Sequence, residues 1–170
     1  MADWLAFSNT IVVSACGGKI PDQAGKYAFH VRSLDYLPEQ FRNEADSRAI
    51  PTLLYIGKAD SSLYERVWLQ ECQHRRPGTF FRSVGAMLGY RSPLGGRNYE
   101  FDSRDKATVV DWIASHLTLA WTTDPTEGSQ RATEAQLIQT FAPLLNIQGN
   151  PRKFDELQRL RAMCRMGDGC

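Results

Sequence analysis

The chain of 170 residues has no long apolar run, no excess of either charge and no grouping of cysteine with histidine. Without about 20 consecutive apolar residues, no helix can be expected to span a bilayer. A net charge of +1 rules out a polyelectrolyte that coats nucleic acid indiscriminately, so any such surface must be local. The four cysteines, Cys16, Cys72, Cys164 and Cys170, form no C-x-x-C pair and have no histidine at zinc-finger spacing. That argues against a structural zinc site and leaves reduced thiols as the expectation. Internal repeats and low-complexity segments are also missing.

What is present is ordinary for a globular protein: 42% hydrophobic and 23% charged residues, which excludes disorder and fibrous classes. A chain of this length buries enough surface to fold as one domain. The apolar run 10–16 follows Asp3 with no positive segment ahead of it, so it does not read as a secretion signal, and a cytoplasmic protein without membrane association is expected.

Alternation of Tyr27, Phe29 and Val31 with small or polar residues predicts a first strand over 25–32. Residues 34–49 read as a surface excursion, and a second strand is expected from Pro51 through Ile56, ended by Gly57. Ser61 or Ser62 is the expected N-cap of a helix carrying Leu63, Val67 and Trp68, stopped at Pro77 and Gly78. Further helices are expected over 79–88, with Gly89 as C-cap, then 108–115, 131–141 and 153–165, with a third strand over 117–121 and a turn over 126–130. The order predicts an α/β (α+β) fold with a small, mainly antiparallel three-stranded sheet flanked by helices. Antiparallel pairing of the first two strands would bring Tyr27 near Tyr55.

The most informative stretch is Leu53-Leu54-Tyr55-Ile56-Gly57-Lys58-Ala59. Gly25-Lys26-Tyr27 opens the earlier strand, Arg66 lies in the following helix, Glu134 in a late helix, and Asn146 beyond it in Pro143-Leu144-Leu145-Asn146. Proton acceptors, a cation and a carboxylate in this order match the needs of phosphodiester hydrolysis.

These elements together resemble the GIY-YIG nuclease family over residues 25–151, with 1–24 as an N-terminal extension and 152–170 as a C-terminal helix and tail packed on the same domain. Tyr55-Ile56-Gly57-Lys58-Ala59 resembles the second family signature, and Gly25-Lys26-Tyr27 the first, with Lys26 where an apolar residue is usual. Arg66 resembles the helix arginine, His74 the histidine or tyrosine that follows it, Glu134 the metal-binding glutamate and Asn146 the late asparagine. The connection between the signatures is longer than the usual tight hairpin, and no separate DNA-recognition domain stands out.

The resemblance implies an endonuclease, with DNA favoured as substrate and Mg²⁺ or Mn²⁺ as cofactor. A tyrosine ionises near pH 10, so Tyr27 or Tyr55 as a base near neutrality needs its pKa lowered by roughly three units, about 4 kcal/mol. Lys58 and Arg66 are the cations expected to supply this or to hold the phosphate, the bland alternative for Arg66 being a solvated helix flank. Glu134 would bind one divalent ion completed by water and phosphate oxygens; alone, it would be an exposed glutamate near a helix N-terminus. His74 contacts either phosphate or solvent, and Asn146 either phosphate, a tyrosine or its own loop. Arg75, Arg76 and Arg82 are expected nucleic-acid contacts. Two competitors stand beside the enzyme: an inactive nucleic-acid-binding module of the same fold, and a nuclease toxin or effector.

Overall fold

A computed structural model describes residues 3–76, 78–123 and 129–167. Four strands, β1 (Ile11–Val12), β2 (Gly25–Val31), β3 (Leu53–Ala59) and β4 (Leu117–Thr123), form one sheet in the order β1-β4-β2-β3. Every pairing in it is antiparallel. The expected three-stranded sheet is thus corrected to four strands. The extra one is two residues long, too short for an alternating pattern to announce it, and exists because Ile11 and Val12 pair with Leu119 and Thr118.

All seven positions of β2 are buried, because the central strand is covered on both faces. Tyr27, Phe29 and Val31 share one face with Gly57, Tyr55, Trp121, Leu119 and Leu117. That face carries the main core, built with Phe80, Phe81, Val109, Ile113 and Leu157 from helices α2 (Thr79–Met87), α3 (Ser103–His116) and α5 (Asp155–Met166). On the opposite face Ala28, Leu53 and Ile56 pack with Leu5 and with Ile138 of helix α4 (Ser129–Phe141).

Residues 34–49 are more than a surface excursion. They hold the 3-10 turn Leu34–Tyr36 and helix α1 (Glu39–Asp46), which buries Phe41 and Ala45. Arg48 then fastens the segment to the far end of the chain, donating to the carbonyls of Ala142 and, at 2.7 Å, Arg152. Pairing of β2 with β3 runs undisturbed from Gly25↔Ala59 to Phe29↔Tyr55, and only a bulge between Phe29 and His30 shifts the register.

Gly57 does not end the second strand, which continues to Ala59. It stands directly opposite Tyr27, and a Cβ there would collide with the Tyr27 ring. The glycine is a platform for a cross-strand aromatic, a role Gly takes where another group approaches closely. The helix after β3 is a nine-residue π-helix, Tyr64–Cys72, with Gln73 N–H donating to the Trp68 carbonyl at 2.9 Å. Ser62 accepts the Glu65 N–H at 3.0 Å, as an N-cap does.

The other helices fall near their expected places. α2 ends with Gly89 at φ +93, and α3 begins earlier than expected because Asp102 accepts the Asp105 N–H at 2.8 Å. Residues 126–128 of the expected turn, Pro77 and Cys170 lie outside the described residues. Cys16, Cys72 and Cys164 are free and buried. No helix among the described residues is long and apolar enough to cross a membrane.

Candidate active site

Strand register sets the first part of the site. With Phe29 opposite Tyr55 and Tyr27 opposite Gly57, the two tyrosine rings lie 6.2 Å apart between centroids. Phe80 packs against Tyr55 at 5.2 Å. Tyr27 is 0% exposed and Tyr55 7%.

The π-helix sets the second part. On an α-helix, residues five apart point about 140° away from each other; i→i+5 hydrogen bonding brings them onto one side. Here it aligns Arg66 with Glu71, whose carboxylate is 0% exposed and lies 3.2 Å from the Arg66 guanidinium. The other Glu71 oxygen accepts the Phe81 N–H at 3.1 Å. Arg66 reaches the Tyr27 hydroxyl, but that oxygen completes no well-aligned hydrogen bond in its buried setting.

Charge in this cluster is tightly shared. Burial, then the negative Glu71, holds the Tyr27 phenol well above its ordinary range, with Arg66 opposing. Tyr55 is raised by the same causes, and it feels Glu134 as a further raising charge and Arg66 and Arg161 as lowering ones. Arg66 is held firmly charged, because Tyr27, Glu71 and Tyr55 outweigh its partial burial. Glu71 itself is raised by burial, against the pull of Arg66. The resting protein therefore keeps both phenols neutral.

Outside the cluster opens a groove of about 590 Å³ lined by Lys58, Asp60, Glu65, Arg66, Arg75 and Arg76 among others. Arg66 bridges the two regions, with its side chain 31% exposed. Lys58 pairs with Asp60 at the groove wall.

Of the residues singled out from sequence, Tyr27, Tyr55 and Arg66 share one neighbourhood, and Glu134 is close enough to act on Tyr55 electrostatically. Lys58, Arg75 and Arg76 line the groove. Asn146 is buried and clamps β3: its amide donates to the Ile56 carbonyl and accepts the Ile56 N–H, both at 2.9 Å. His74 stands apart from the groove at φ 49, stacked on Phe81 at 4.0 Å and pushed down to about 4 by burial and then by Lys106. Arg82 is buried, donates to the carbonyls of Gly78 and Arg97 and lies over the Tyr99 ring; these contacts occupy it inside the fold.

Glu71 was not legible in the sequence, because its spacing from Arg66 carries no meaning on an ordinary helix. A glutamate five residues past the signature arginine was the one available signal.

No group of three or more His, Cys, Asp or Glu side chains suited to a metal occurs among the described residues. A single partly exposed carboxylate at Glu134 nonetheless fits a hard divalent ion that keeps most of its waters and takes phosphate oxygens from the substrate.

The fold is an α/β domain whose antiparallel sheet sets Tyr27 and Tyr55 side by side, with Arg66 on the following helix. The chain matches the family model described as GIY-YIG catalytic domain over residues 25–163 and belongs to the GIY-YIG family of nucleases, which generally depend on divalent metal and act on nucleic acid. No curated protein and no solved structure matches it.

Proposed function

We propose that the protein is a divalent-metal-dependent endonuclease that hydrolyses DNA phosphodiesters by in-line attack of water, working in the cytoplasm. The observation that carries this reading is the position of Arg66, whose guanidinium meets Glu71 at 3.2 Å while its partly exposed side chain lines a groove with Lys58, Arg75 and Arg76.

In this reading Arg66 receives the scissile phosphate and offsets the charge of the pentacovalent transition state. Lys58 holds the phosphate from the groove wall. Tyr55, the less deeply buried of the two tyrosines, accepts the proton of the attacking water as its phenolate, after losing its own proton to solvent. That loss requires the cations brought together with the substrate to overcome the upward push of burial and Glu71 in the resting protein. Tyr27 orients Arg66 from within the core. Glu134 would hold Mg²⁺ or Mn²⁺, which supplies positive charge to the phosphate and acidifies water. Asn146 keeps β3, and with it Tyr55, in place. His74 supports Phe81 and acts only through packing.

Supercoiled plasmid incubated with Mg²⁺ tests the reading: nicking by the wild type, lost in Arg66→Ala and Glu134→Ala, is the expected result. The complete burial of Tyr27 favours a second reading, a binding module without catalysis. DNA binding by the wild type with no nicking in Mg²⁺ or Mn²⁺ would decide for that module.

A further inference from the structure

We infer that Glu71 is a positioning residue of the site, using one carboxylate oxygen to anchor Arg66 and the other to cap the N-terminus of α2. The inference rests on the nuclease reading for its consequence and on geometry for its substance.

α2 begins after Gly78, which has no side chain to cap it, and a helix start leaves amides in need of acceptors. Glu71 comes from the preceding π-helix and supplies the acceptor, taking the Phe81 N–H at 3.1 Å. The carboxylate presses so closely on Gly78 that a Cβ there would collide with it. Its remaining oxygen has no hydrogen bond of good geometry and faces Arg66 at 3.2 Å. A cation held by a fully buried acid whose other oxygen is tied to a helix end has little freedom to wander. Preorganisation of this kind lets a guanidinium meet developing charge without first being ordered.

The titratable groups coupled to this cluster include Tyr27 on β2, Tyr55 on β3, Cys72 on the π-helix, Arg82 on α2, Glu134 on α4 and Arg161 on α5. Among them Glu71 is the acid facing Arg66, and Arg82 is committed to backbone carbonyls.

The substitution Glu71→Gln keeps an acceptor for α2 and removes the charge. In ¹⁵N-arginine-labelled protein, the Arg66 Nη protons should show slowed rotation in the wild type and lose it in Glu71→Gln. Single-turnover nicking should fall at least tenfold, with DNA affinity within about twofold, and Arg66→Ala/Glu71→Gln should be no slower than Arg66→Ala alone. Unchanged Arg66 rotation or unchanged nicking in a folded Glu71→Gln protein overturns the inference, as does an additive double variant. If Glu71→Gln does not fold, Gly78→Ala takes its place. Its backbone at φ −102 suits alanine, so its effect is to displace the Glu71 carboxylate, and the same losses are expected; wild-type behaviour overturns the inference. Loss of slowed Arg66 rotation together with a wild type that nicks no DNA upholds the anchor and overturns the nuclease reading.

Discussion

Asn146 closes the free edge of the sheet by bonding to both backbone groups of Ile56, at 2.9 Å each. The contact continues a short ladder in which Leu145 N–H donates to the Leu54 carbonyl at 2.7 Å. An exposed edge strand invites pairing with another chain, and here the side chain of one residue occupies the place of a neighbouring strand beside Tyr55.

Asn146→Ala leaves a buried N–H and a buried carbonyl without partners. Each such loss costs about 1–3 kcal/mol, so urea unfolding should show a destabilisation of about 2–6 kcal/mol. Asn146→Asp removes the donor and sets a charge against the Ile56 carbonyl, and it should be no more stable than the alanine variant.

Gly57→Ala drives a methyl group into the Tyr27 ring. Overpacking of this kind costs about 1–3 kcal/mol, and because the ring is wholly buried the upper part of that range is expected. The double variant Gly57→Ala/Tyr27→Ala should be less destabilised than the sum of the two single variants. Additivity in denaturant titrations would show that the glycine serves some other purpose.

Acid stability should reflect the buried histidines. His30 is 0% exposed and is pushed down to about 4 by burial; His74 is lowered to about 4 as well. The unfolded chain binds protons at these rings near pH 6.5 and the folded one does not, so stability is full above that pH and is lost as pH falls toward 4. For His30 the loss reaches about 3 kcal/mol, and His30→Gln should flatten that part of the pH curve. The raised phenols of Tyr27 and Tyr55 act at the other end: stability is full below about pH 10 and declines above it, as the unfolded phenols ionise.

Arg75→Gln and Arg76→Gln should each weaken DNA binding without regard to sequence and reduce the slope of log K against log salt by about 1. Arg82→Gln should instead lower the melting temperature, since its guanidinium is spent on carbonyls inside the fold. Fluorescence anisotropy across a salt series, with thermal melts of the same variants, distinguishes the two kinds of arginine.

The sequence by itself determined the tyrosine-bearing strands, the order of the helices after Tyr55 and the family, because alternation in 25–31, the run through Tyr55 and the helical spacing of apolar residues are local signals; α1, read as a surface excursion, escaped it. Strand ends were less legible: Gly57 reads as a terminator, and only the opposing strand reveals it as the floor beneath Tyr27. β1 was hidden for a related reason, since two residues become a strand only through the pairing offered by β4. Tertiary structure alone decided that Arg82 is enclosed, that Asn146 serves the sheet edge and that Glu71 lies against Arg66. Burial and partner identity depend on contacts between residues distant in the chain, and the π-helical turn that joins Glu71 to Arg66 breaks the 3.6-residue period from which helix faces are read.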